Sequence, residues 1–218
     1  MDFKDFEELS YKYFSTGGSK KLREKSKDVL TSKANQILNV LNEDDKVVDA
    51  GCGGNQFKTI FPNLVAFDMV DYGNQDFVST ILDAPIEKES QDAVLCFGVL
   101  HECPNEYHKP NIEKMLSWLK SNGQLIMKCK QRKVINKHPG MDLIAKPDVL
   151  NYQEYFDQGM WSKERIDQFT EELNLKINWI RPIKVSRKQQ WFGNSDFESQ
   201  YDDDIVFDGY VWSWGKNV

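Results

Sequence analysis

With 218 residues, the chain is long enough for one α/β domain with a full core and too short for two ordinary ones. A net charge of −6 argues against broad nucleic-acid binding, and four cysteines without a C-x-x-C pair point to neither a zinc site nor a disulfide framework. No apolar run approaches a membrane span, and the start Met1-Asp2-Phe3-Lys4-Asp5-Phe6 is not a signal peptide, so a cytoplasmic protein with reduced thiols is expected.

In chain order, residues 2 to 14 read as a short amphipathic helix with Phe3, Phe6, Leu9, Tyr13 and Phe14 on its apolar side. Ser15-Thr16-Gly17-Gly18-Ser19 breaks it. A second helix is expected from about Lys20 to Leu41, with Leu22, Val29, Leu30, Ile37, Leu38 and Leu41 facing a sheet. Asn42-Glu43-Asp44-Asp45 turns the chain into Val47-Val48-Asp49-Ala50, a strand that runs into the glycine-dense Gly51-Cys52-Gly53-Gly54-Asn55. Strands stop at G-x-G where bare backbone must pass close to something, with φ angles that a Cβ forbids.

A second apolar run, Asn63 to Asp68, ends in an acid nineteen residues after Asp49, a spacing that fits one β-α-β unit. Asp92 to Glu102 is a third strand signal leading into a short loop or helix. Gly123 to Lys128 is the next, after a helix-length segment and a Ser-Asn-Gly turn. These strands carry their motifs at the carboxyl ends, which places a crevice at the topological switch point of a doubly wound sheet. Beyond them, Cys129 to Asp148 is irregular and basic, with Lys130, Arg132, Lys133, Lys137 and His138. Ser162 is positioned to cap a helix carrying Ile166, Phe169 and Leu173. Leu175 to Val185 and Phe207 to Trp214 have strand character, separated by about twenty polar and acidic residues, a length typical of functional or mobile loops.

The chain resembles the class I S-adenosylmethionine-dependent methyltransferases. The matching pieces are VVDAGCGGNQF, LVAFD, QDAVLCFGVLHE and SNGQLIMK, spread over residues 30 to 130, together with a closing antiparallel pair ending in GYVWSWGK. Its compact size and tryptophan-rich C-terminus are similar to small type 11-like methyltransferases of phages and bacteria. The third glycine of the family motif is Asn55 here, a residue that still tolerates left-handed geometry. A dinucleotide-binding dehydrogenase fits less well, because that turn needs a third glycine and opens directly into a phosphate-cradling helix.

The resemblance implies a mostly parallel, seven-stranded Rossmann-like sheet with an antiparallel last strand and helices on both faces. It also implies one methyltransferase domain over 1–218: a helical cap (1–42), a cofactor-binding core (43–130), and an acceptor-side segment with the closing strands (131–218). The cofactor it implies is S-adenosylmethionine. Asp49, Gly51, Cys52 and Gly53 would hold its methionine end, Asp68 its ribose, and Met69, Thr80, Ile81 and Leu82 its adenine, with Asp83 as the alternative to Thr80. Cys96, Phe97 and Gly98 would border the sulfonium. No metal is expected.

His101 and Glu102 are the candidate bases; the plainer reading makes His101 a helix cap and Glu102 a solvated charge. The basic segment from Lys128 to His138 is either an ordinary solvated loop or a mouth that attracts an anionic acceptor. Trp191 and Phe192 could flank a planar acceptor, whereas Trp212 and Trp214 alternate on the final strand as core or interface. The chain shows neither Asn/Asp-Pro-Pro-aromatic nor a proline-preceded thiol after the fourth strand, so a small-molecule or sugar- or nucleotide-like O- or N-acceptor remains. The competing readings are a non-catalytic cofactor-binding module and a nucleic-acid methyltransferase, the latter disfavoured by net charge. Nothing in the sequence bears on oligomeric state.

Overall fold

The computed structural model describes residues 39–130, 161–186 and 205–217, together with Lys4, Glu8, Tyr11, Lys12 and Ser15. Lys4, Glu8, Tyr11 and Lys12 are helical, as expected for the first helix; the second expected helix lies outside the described residues up to Asn39. Its expected end differs. Asn39 and Val40 form a turn, and Leu41 beyond it is buried under the sheet.

Among the described residues seven strands form a single sheet: β1 (Val47–Ala50), β2 (Val65–Asp68), β3 (Phe77–Val78), β4 (Gln91–Phe97), β5 (Leu119–Lys130), β6 (Leu175–Ser186) and β7 (Ile205–Lys216). Their order is β3-β2-β1-β4-β5-β7-β6. The first five are parallel, and β7 runs antiparallel between β5 and β6. The strand order reverses between β1 and β4, so the crevice opens at the carboxyl edge beside β1.

Val47, Val48 and Ala50 are all fully buried, as a strand covered on both faces requires. Alternate residues feed two layers. On one side Val48, Val94, Cys96, Met127, Trp212 and Trp214 pack under two helices, α1 (Asn105–Trp118) and α2 (Lys163–Glu172). On the other, Val47, Ala66, Leu95, Ile126 and Val211 meet Leu41, Phe57, Phe61 and Leu64, the phenylalanines coming from and just after a 3-10 turn at Gln56–Thr59. Both closing-strand tryptophans are therefore core.

The helices follow their sequence signals. In α1, His108, Ile112, Met115 and Leu116 recur at helical spacing and are buried. In α2, the Ser162 hydroxyl accepts from Arg165 N at 3.3 Å, the expected cap, and Ile166 and Phe169 are buried. Ser121-Asn122-Gly123 behaves differently from expectation. It belongs to β5 and forms a bulge, where the partner of Gln91 is Leu119 but that of Ala93 is Gln124. Gly123 fits closely there, since a Cβ would stand 3.0 Å from Gln91 O and 3.2 Å from Asp92 O, tighter than an ordinary contact. A polar thread pins the antiparallel strands: Ser213 Oγ donates to Gln124 Oε1 (2.9 Å) and accepts from Asn178 Nδ2 (3.1 Å). Among the described residues no helix is long and apolar enough to cross a membrane.

Candidate active site

The glycine turn is held from three directions. Gly51 N and Cys52 N both donate to Phe67 O, at 2.9 and 3.0 Å, tying the end of β1 to β2. Gly51 has φ 78°, and a Cβ there would lie 2.2 Å from Val99 Cγ2. The loop after β4 thus fills the place of the missing side chain, so the chain's own Val99 already demands glycine at this position. Gly53 has φ 54°, and Asn55, in the place of the third glycine, adopts φ 51°, ψ 51°. Its amide Nδ2 donates to Asn74 O, linking the turn to the loop beyond β2.

Asp68, buried at the end of β2, accepts from Gly53 N through Oδ2 (2.9 Å) and from Val70 N through Oδ1 (3.1 Å). Asp49, also buried, is registered with Ala66. Asp68 therefore projects from the same sheet face, two residues nearer the carboxyl edge. Cys52 senses both: burial first, then Asp49 and Asp68, push its thiol far above the usual range. The turn is electronegative and its thiol is inert as a nucleophile.

At the expected adenine end, Thr80 and Asp83 are bonded to each other. Thr80 Oγ1 donates to Asp83 Oδ2 at 2.8 Å, and Asp83 N donates back at 3.3 Å. Ser79 N donates to Asp68 O (3.0 Å), which keeps this turn against β2. Ile81 is buried; Met69 and Leu82 are half-buried.

The trio expected beside the sulfonium divides. Cys96 is fully buried in the layer under the helices, and burial raises its thiol well above the usual range. Phe97 points to the opposite layer and meets Phe57 edge-on, with centroids 5.5 Å apart. Gly98 has φ 80°, and a Cβ there would lie 3.6 Å from His101 Cε1. His101 sits in a 3-10 turn (Leu100–Glu102) and is 6% exposed. It caps no helix, since α1 starts at Asn105 behind Pro104. For Glu102 the backbone position in that turn is described. Residues 131–138 of the basic segment, Trp191 and Phe192 lie outside the described residues. Among the described residues no group of three or more His, Cys, Asp or Glu is placed to hold a metal.

Sequence reasoning missed Val99 and a cluster behind the 3-10 turn. His108 Nε2 donates to Cys103 O (2.9 Å), and its Nδ1 accepts from Arg165 Nη2 (2.9 Å), which also donates to Asn105 Oδ1 (2.7 Å). Burial, then the Arg165 charge, lowers His108 to about 4. The ring is therefore neutral near pH 7 and stacks on Trp161 at 5.2 Å. These partners are 57 and 60 residues apart, and no local pattern in one sequence announces them.

No protein-family model matches the chain. No curated protein sequence matches it. Solved structures do. A methyltransferase from Methanosarcina mazei described as SAM-dependent is 14% identical, with 84% of this chain and 97% of that one covered, at TM-score 0.56. The phosphoethanolamine N-methyltransferase 2 of Haemonchus contortus, in complex with S-adenosylmethionine, is 12% identical over 98% of this chain and 60% of that one, at TM-score 0.60. The fold is that of the class I methyltransferases. This methyltransferase fold is also similar to the [4+2]-cyclase SpnF, at 13% identity, 85% and 80% coverage and TM-score 0.55. The architecture by itself therefore leaves the reaction to be argued from the site.

Proposed function

We propose that the protein is an S-adenosylmethionine-dependent methyltransferase acting on an O or N atom of a small-molecule or sugar- or nucleotide-like acceptor. The observation that carries this reading is the pair of buried acids, Asp49 and Asp68, on one sheet face beside the glycine turn, with a negative field that reaches Cys52. Such a turn suits a cationic ligand and repels the pyrophosphate of a dinucleotide. The residues present therefore fit the cofactor.

In this reading Asp49 and the backbone of Gly51 and Gly53 hold the ammonium end. Asp68 takes the ribose hydroxyls, and Met69 with the Thr80–Leu82 turn receives the base. S-adenosylmethionine supplies, when bound, a methyl group already activated by the sulfonium charge, so the chain's main task is to place the acceptor in line and exclude water. His101, beside Gly98 at the end of β4, is the candidate to take a proton from the acceptor, with Glu102 next to it. The Haemonchus contortus N-methyltransferase of the same fold, in complex with the small molecule phosphomonomethylethanolamine and S-adenosylhomocysteine, supports the acceptor class.

Calorimetry with S-adenosylmethionine and S-adenosylhomocysteine tests the reading, followed by an acceptor screen. Asp49→Asn keeps the shape of the site and removes a charge, so it should weaken binding about tenfold or more, in line with a charge-assisted hydrogen bond. Wild-type protein that binds neither compound, or a variant that binds as well as wild type, would reject the assignment.

A further inference from the structure

Arg165 is a half-buried cation whose hydrogen-bond partners are both neutral. Asn105 carries no charge, and the lowered His108 ring is uncharged near neutrality. The guanidinium lies over Trp161 at 5.2 Å and Phe169 at 5.7 Å. Among the described residues no carboxylate forms an ion pair with it, and burial pulls it below the usual arginine range. Its Nε is buried and has no hydrogen-bond partner among the described residues.

Removing an ion from water costs more than a cation–π contact returns. Two rings and two neutral acceptors therefore orient this charge without neutralising it. Its position is also informative. Helix α1 starts just past the carboxyl end of β4. Helix α2 descends from the same edge to β6, whose first residue, Leu175, is registered with Lys216 at the far end of β7. Arg165, in the first turn of α2, consequently stands at the carboxyl edge near Cys129 of β5, two strands from Asp49 and over the opposite face of the sheet.

We propose that Arg165, braced by Asn105 and His108 and backed by Trp161 and Phe169, anchors an oxyanion carried by the methyl acceptor, a phosphate or carboxylate group. This rests on the function proposed above and narrows its acceptor to an anionic one. With Nη2 held by Asn105 and His108 and Nε buried, the two N–H bonds of Nη1 are the donors left for such a group, and the braced guanidinium plane fixes their direction in a way a lysine ammonium does not.

The test follows the Arg165 Nε–Hε resonance by NMR in the full chain saturated with S-adenosylhomocysteine, titrated separately with glycerol 3-phosphate, lactate and inorganic phosphate. Through-bond correlations within the Arg165 side chain, with NOEs to the Trp161 and Phe169 rings, assign the resonance in the wild-type protein. The expected result is a shift on adding one of the two organic anions, at least about tenfold tighter than for inorganic phosphate, and binding about tenfold or more weaker in Arg165→Lys. Cofactor affinity in that variant should be unchanged. A resonance unmoved by all three anions overturns the proposal. So does inorganic phosphate binding as tightly as the organic anions, which would make this a free-anion site. The wild-type measurement stands even if the variant does not fold. Cofactor calorimetry on the same samples separates the two readings: failure to bind cofactor defeats the function and with it the acceptor assignment, whereas cofactor binding with a silent Arg165 defeats only the anion anchor.

Discussion

Gly51 shows how a residue that looks like part of a ligand motif can be required by the protein itself. Its backbone is left-handed, and the Val99 methyl occupies the space a Cβ would need. A side chain there incurs about 1–2 kcal/mol of backbone strain and about 1–3 kcal/mol of overpacking. Gly51→Ala should thus lose about 2–5 kcal/mol in denaturant unfolding, and adding Val99→Ala should return the overpacking share. If the double variant is no more stable than Gly51→Ala, the clash with Val99 is not the cause. Asn55 makes the complementary point. Its tolerance of left-handed geometry was legible from residue type, and the structure adopts that geometry; its bond to Asn74 nineteen residues away was not legible.

At the scale of elements, strands with continuous apolar runs and an acid at the tip were readable, because burial on both faces and a ligand-side end each leave a local mark. Val47–Ala50 and Val65–Asp68 are of this kind. β3 leaves little mark, being two residues long and placed by its pairing with Phe67 and Asp68. Ser121-Asn122-Gly123 carries ordinary turn composition, yet tertiary pairing makes it a bulge inside β5, and composition alone cannot distinguish the two. The start of α2 was readable at Ser162. Ser162→Ala removes the acceptor for Arg165 N and should destabilise the protein by about 1 kcal/mol in urea unfolding. A change below a few tenths would mean that another group satisfies that N–H.

For the whole molecule, His108 links stability to pH. The folded ring titrates at about 4, against an ordinary 6.5, with Arg165 and His101 as the cationic or titratable groups around it. Between those values the unfolded chain binds a proton that the folded chain refuses, so stability falls as pH falls, by about 3 kcal/mol on reaching pH 4. Urea unfolding at pH 7.5, 5.5 and 4.5 should show this decline, and His108→Gln should flatten it; parallel curves for the two proteins would contradict the assignment. The strands themselves are unequal. β5, β6 and β7 each run for 12 residues, whereas β1 and β2 have 4 and β3 has 2. The half of the sheet assigned to the nucleoside is thus the half with the fewest ladder bonds of its own, and an occupant there would serve as a missing buttress, completing a wall that the polypeptide leaves short.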